Sequence, residues 1–183
     1  EGQGFMFAEK LYGIFLEKYP TDSKSEEALF NRSVCLISIG KIDDGVALKR
    51  KYIKEYSSNP RIAQIQYEIA EAFYNGGRFD LAAQEYSRTS KEYPRSEYAV
   101  TAAYNKAWCF YRMSDTLQMV EELNRFVRTF PNSSQAPDAY FSIGDYFNNA
   151  KEYQKAKQAY EVIVQKYPAS PRFEEAKGLV HEL

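Results

Sequence analysis

Few residues of this chain have the chemistry for catalysis or metal binding, and their spacing argues against both. Two cysteines, Cys35 and Cys109, and one histidine, His181, are the only thiols and imidazole in 183 residues. No Cys/His cluster has zinc-ligand spacing, so neither a metal site nor a nucleophile–base pair is expected. Gly76-Gly77 has no strand before it, and so lacks the setting of a phosphate-binding loop. The adjacent Asp43 and Asp44 read as a helix cap rather than an acid–base pair. The glycosylation-type triplets Asn31-Arg32-Ser33 and Asn132-Ser133-Ser134 fall in a helix and a junction, and neither is expected to be used. What remains is recognition chemistry: 16 Tyr, 12 Phe and a single Trp, side chains that supply large contact area at small entropic cost. No cofactor and no metal are expected, and the chain reads as non-enzymatic.

The elements that would position those aromatics follow from a period. Tyr19, Tyr56, Tyr93, Phe130 and Tyr167 recur every 37 residues, each at or just before a chain-breaking stretch. Self-similarity at such a period marks a repeat array whose units bury their apolar faces only by stacking. Folding the sequence at 37 residues exposes an aromatic column (Phe30, Tyr67, Tyr104, Phe141) and a small column three residues on (Ser33, Ala70, Ala107, Gly144). A third column follows at Leu36, Phe73, Phe110 and Phe147. Spacings of three and four place these on one helix stripe, giving A helices over 23–38, 60–75, 97–112 and 135–149. A second stripe, with Gly45, Ala82, Met119 and Ala156 as its small column and Lys49, Tyr86, Leu123 and Tyr160 after it, gives B helices that stop before Pro. Ser23 with Glu26 fits a capping box, and Asn59-Pro60 and Ser170-Pro171 pair a cap residue with Pro at the first helical position.

The predicted fold is therefore all-α: a right-handed α-solenoid of antiparallel helix pairs with about ten helices, one continuous core over 1–183. Residues 1–20 form a half repeat holding a B helix alone. Full repeats span 21–57, 58–94, 95–131 and 132–168, and 169–183 forms a last helix that could cap the array. Cys35 and Cys109 share a column two repeats apart. With helices ~8–10 Å apart, they stand at least roughly 16–20 Å from each other, and a disulfide needs Cα atoms ~4.4–6.8 Å apart. They read as small buried side chains.

These columns resemble the tetratricopeptide repeat. Its small residue, aromatic, Ala, aromatic and Pro stand at Ala70, Phe73, Ala82, Tyr86 and Pro94, and again at Gly144, Phe147, Ala156, Tyr160 and Pro168. The three residues beyond the family's usual period lengthen the Tyr-Pro junction, as in Tyr93-Pro94-Arg95-Ser96. That junction is similar to the bacterial outer-membrane assembly lipoproteins and the periplasmic cell-division coordinators. The first repeat departs most, with Lys49 at the aromatic and Ser57 at the Pro; the third has Met119 for Ala and Ser114 for Gly.

The resemblance implies a protein or peptide partner held on the inner face of the A helices, along a concave groove. Mapped onto this chain, that face presents Tyr67, Glu71 and Tyr74, then Tyr104, Asn105, Trp108, Tyr111 and Arg112, then Phe141 and Asp145. With Glu68 and Asp138 beside them, the groove reads as aromatic and mildly acidic. Part of the aromatic column also reads as packing, and Trp108 as either contact or local packing. Asn105 and Arg112 alone do not make the family's carboxylate clamp.

The charge balance, 24 basic against 25 acidic residues, offers no attraction to nucleic acid or anionic lipid. No apolar run of 18 or more residues exists, so no direct membrane insertion by this segment is expected. The opening Glu1-Gly2-Gln3-Gly4, without initiator Met or an apolar leader, reads as a piece of a longer protein. The expected location is periplasmic or outer-membrane-associated, with a cytoplasmic one as the alternative. The alternative function is a structural module that self-associates through its ends, motivated by the unpaired B helix at 5–19.

Overall fold

The computed structural model describes residues 2–183; Glu1, first residue of the expected half repeat, lies outside them. Ten α-helices and no strand are present among the described residues. They are α1 (Gly2–Lys18), α2 (Ser25–Ser38), α3 (Ile42–Glu55), α4 (Ile62–Asn75), α5 (Phe79–Glu92), α6 (Tyr98–Arg112), α7 (Thr116–Thr129), α8 (Ala136–Asn149), α9 (Tyr153–Lys166) and α10 (Phe173–Glu182). The chain forms two compact units that divide within α6, one ending at Ala99 and the other running from Val100 to Leu183.

The turn that closes each A helix is the same four times. The residue after the C-cap takes positive φ at Gly40 (82°), Gly77 (75°), Ser114 (62°) and Lys151 (61°). In each case two backbone N–H groups return to the helix; after α4 they are Gly77 to the Tyr74 carbonyl (3.0 Å) and Arg78 to the Phe73 carbonyl (2.9 Å). This double return satisfies carbonyls that a helix end leaves orphaned. Glycine adopts such a φ without cost, whereas Ser114 and Lys151 hold it against the steric preference of an L side chain.

The B helices end on the aromatic column: Tyr56, Tyr93, Phe130 and Tyr167 are the C-caps of α3, α5, α7 and α9. A short turn then precedes each A helix, and here the expected caps need correction. Asn59 accepts from the Arg61 N–H at 2.8 Å and Ser170 from the Arg172 N–H at 3.1 Å. The helices begin only at Ile62 and Phe173, so these side chains cap the turn rather than the helix. Ser23 forms no capping box either. Asp22 accepts from the Lys24 N–H at 2.8 Å, while Glu26 receives the Tyr52 hydroxyl and the Asn59 amide, each at 2.5 Å. Asp43 and Asp44 sit inside the first turn of α3 rather than capping it, and Asp43 pairs with Arg78 at 2.6 Å.

Each unit has its own apolar interior. In the first, Leu29, Tyr52 and Ile65 form a cluster edged by Phe30 and Tyr56. In the second, Leu123, Phe126 and Ile143 anchor one cluster and Phe141, Tyr160 and Ile163 another. Helices of a pair approach closely where the small columns meet. At Gly144 a Cβ would stand 2.4 Å from the Tyr160 ring, well inside contact distance, so only glycine lets the ring lie there.

Candidate functional site

The expected groove residues fall on three A helices and divide between the two units. In the first unit, Tyr67, Glu71 and Tyr74 line one stripe of α4, as spacings of four and three require. Tyr67 stacks against Tyr86 (centroids 5.6 Å apart) and Tyr98 (5.4 Å), and Tyr74 meets Phe79 edge-on at 5.3 Å. Glu71 accepts the hydroxyl of Tyr86, a residue 1% exposed.

In the second unit, α6 carries Tyr104, Trp108 and Tyr111 on one stripe. The rings form a ladder, Tyr104 to Trp108 at 5.6 Å and 71°, then Trp108 to Tyr111 at 5.9 Å and 82°. Edge-to-face geometry of this kind is favoured by the ring quadrupoles. The ladder runs from inside to outside. Tyr104 packs on Phe126 at 5.3 Å, Trp108 is half-buried, and Tyr111 is 54% exposed. Burial pushes the Tyr104 phenol above its ordinary range, against a lowering contribution from the Trp108 indole. Asn105 is half-buried and Arg112 exposed on the same helix.

Phe141 is not available as a contact: it is 7% exposed, with Tyr160 5.4 Å away and the Arg172 guanidinium 4.6 Å over its face. The acidic lining needs the same correction, because its carboxylates are engaged. Glu68 receives Lys49 at 2.5 Å, Asp138 receives Arg172 at 2.8 Å, and Asp145 receives the Tyr160 hydroxyl at 2.7 Å.

A rule that the residue-by-residue reading missed accounts for these pairings. The carboxylate and its tyrosine stand fifteen residues apart in both Glu71–Tyr86 and Asp145–Tyr160. The same two columns hold Trp108 with Leu123, and Val34 with Lys49. Where the B residue loses its hydroxyl, the A residue loses its carboxylate, and Trp108 packs on the cluster containing Leu123. Lys49, facing Val34, turns instead to Glu68 and lies 4.8 Å from the Phe30 ring centroid. Its side chain is 3% exposed, so this pair satisfies a charge that burial would otherwise penalise.

The cysteines and the histidine lie outside the stripe. Cys35 and Cys109 are buried, each within its own unit, and burial raises the Cys35 thiol, with Glu9 adding to it. His181 is exposed on α10. Among the described residues no group of three or more His, Cys, Asp or Glu could hold a metal ion. A cavity of about 880 Å³ opens beside Arg125, Arg128, Tyr140 and Lys155. It contains none of the expected groove residues, and its Arg125 and Lys155 are already held by Glu122 and Glu152.

A family model described as YfiO, outer membrane lipoprotein, matches residues 59–171. No curated protein sequence matches the chain. Among solved structures, a tetratricopeptide repeat protein from Parabacteroides merdae superposes with a TM-score of 0.62 at 15% identity, over 87% of this chain and 60% of its own length. MamA superposes with 0.58 at 16% identity, over 97% and 90%, and Pseudomonas aeruginosa pilF with 0.54 at 16%, over 98% and 88%. At these identities the likeness is one of fold: an all-α array of the tetratricopeptide type.

Proposed function

The chain belongs to the YfiO outer membrane lipoprotein family, and from that premise we propose that it is a non-enzymatic scaffold that captures a partner segment on the aromatic stripe of α6. Tetratricopeptide-type arrays generally mediate protein–protein interaction. The observation that carries the reading is the Tyr104–Trp108–Tyr111 ladder, which rises from the interior to an exposed tyrosine. Aromatic anchors set into a packed base, with an exposed rim, are the pattern of binding hot spots. An extended or helical segment with apolar anchors suits it better than a strongly cationic one, since the nearby Asp138 and Asp145 are engaged internally.

The setting we propose is the bacterial cell envelope, periplasmic or at the outer membrane, in an assembly role. The family description supports it. No helix among the described residues is long and apolar enough to cross a membrane.

The test is a selection of peptides from a displayed library against the intact chain, followed by affinity measurement on Trp108→Ala combined with Tyr111→Ala. A loss of tenfold or more, with unchanged circular dichroism, is the expected result. Undiminished affinity in the folded double variant would sink the α6 reading.

A further inference from the structure

We propose that the groove between α7 and α9, floored by α8, is a second docking site, for a partner protein segment that presents an apolar side chain next to a carboxylate. The site lies wholly in the second unit and contains no residue of the α6 stripe, so either surface can fail without the other.

The repeat shows what ordinarily fills such a place. The B helices α5 and α7 carry Glu85 and Glu122 at one column, with Arg88 and Arg125 three residues on. Both acids are buried, at 5% and 7% exposure, and both are engaged. Glu85 receives Arg50 of α3 at 2.7 Å, Gln66 of α4 at 2.6 Å and Arg88 of its own helix at 3.0 Å. Glu122 receives Lys106 of α6 at 2.9 Å and Arg125 at 2.6 Å. A carboxylate set among cations therefore plugs the seam where each B helix meets its A partner.

On α9 the same two columns hold Ala159 and Val162, and a cavity of about 880 Å³ opens in place of the plug. Ile143 and Phe147 of α8 join them in an apolar floor, with Ile143 standing where α6 has Lys106. The helices that frame the cavity, α7, α8 and α9, have further helices of the array before and after them. Its openness follows from the side chains at Ala159 and Val162.

The rim is cationic. Arg125, Arg128 and Lys155 line it against one acid, Glu121, which already accepts the Gln118 amide at 3.0 Å. Arg128 is exposed and has no ion pair among the described residues. Arg125 is 65% exposed, and Glu122 keeps Lys106 if Arg125 turns away, so its release orphans no buried charge. The pair of Lys155 with Glu152 is exposed on both sides, and such pairs hold weakly. The groove thus offers cations over an apolar floor with no carboxylate of its own between them. A segment with an apolar side chain over Ala159 and a carboxylate toward Arg128 supplies both missing parts.

The probe is a displayed heptapeptide library, panned on the chain carrying Trp108→Ala and Tyr111→Ala so that the α6 stripe plays no part. Enriched peptides should place Leu, Ile or Phe beside Asp or Glu, and should bind the wild-type chain saturably at concentrations up to about 1 mM. Ala159→Glu combined with Val162→Arg rebuilds the plug of α7. It should weaken those peptides at least tenfold and leave thermal unfolding unchanged. Arg128→Ala tests the rim without touching the packed floor. It should weaken binding roughly two- to fivefold, as for an exposed ion pair, and that loss should vanish for peptides with Asn and Gln in place of Asp and Glu. Absence of any enriched peptide overturns the site, as does binding indifferent to the folded Ala159→Glu, Val162→Arg variant. Enrichment of basic peptides, or equal Arg128→Ala losses with and without the peptide's acids, overturns the acidic occupant.

Discussion

At matched positions of the fold, α8 and α6 do different things with the same two columns. On α8, Asp145 takes the hydroxyl of Tyr160, so a polar pair ties the A helix to its B partner. On α6 the columns hold Trp108 and Leu123, and the tie is apolar packing. α4 follows α8, with Glu71 and Tyr86. A carboxylate spent on an internal hydroxyl is withdrawn from partner recognition. A tryptophan set on leucine keeps its outer edge available, and here that edge continues into exposed Tyr111. Two helices depart from that pairing, α2 with Val34 and α6 with Trp108; α6 alone has an aromatic at that position, which is why we propose it as the recognition surface.

The comparison breaks most readily at Tyr160. Replacing this fully buried residue by Ala should cost about 3–5 kcal/mol in thermal or denaturant unfolding. Tyr160→Phe, which only removes the donor to Asp145, should cost about 1 kcal/mol. A Phe variant as damaging as the Ala variant would mean that the hydroxyl, not the ring, holds α8 to α9.

Next in size is the first repeat, where Lys49 stands in the tyrosine column. Glu68→Gln leaves that buried ammonium without its counter-charge, and should cost about 2 kcal/mol. Lys49→Met should recover most of the loss in the Glu68→Gln background. If it does not, the pair is incidental.

A smaller effect decides whether the two columns are truly linked. Trp108→Glu and Leu123→Tyr should each destabilise alone, and together should show a favourable coupling of about 1 kcal/mol, since the double variant rebuilds the pair seen on α4 and α8. Additive losses would show that the matching of the columns is accidental.

The pH response should separate the two kinds of tie. Burial first, then the neighbouring carboxylate, raises the phenols of Tyr160 and of Tyr52, the latter to about 12. A phenol raised in the folded state contributes stability that is complete below its unfolded value of 10.0 and lost as pH climbs toward the folded value. Unfolding free energy should therefore fall between pH 10 and 12, with Tyr52→Phe flattening the decline. An unchanged slope in that variant would remove Tyr52 from the account.

Much of the architecture was legible as periodicity. The aromatic and small columns place the ten helices because burial demands a stripe at helical spacing. Helix starts were less legible. Asn59 and Ser170 are typical capping types, yet they cap a turn and stand three residues before the first helical residue, and residue type alone does not separate the two uses. The left-handed residue of the recurring turn was visible at Gly40 and Gly77 but hidden at Ser114 and Lys151, exposed residues whose positive φ accompanies the same returning backbone hydrogen bonds. At the candidate site, spacing put Tyr104, Trp108 and Tyr111 on one stripe, but it could not say which acids are spent internally. That signal did exist, in the joint change of the two columns fifteen residues apart. It becomes readable only once the hydroxyl-to-carboxylate bonds show that these columns face each other.

The chain's single tryptophan lies on the stripe that the account places at its centre, which makes its emission the most direct readout. Adding a library-selected peptide to the wild-type chain should shift Trp108 emission in step with binding, and Tyr111→Ala should weaken both together. Saturable binding that leaves Trp108 emission unmoved, at unchanged affinity in Tyr111→Ala, would contradict the claim that α6 is the recognition surface.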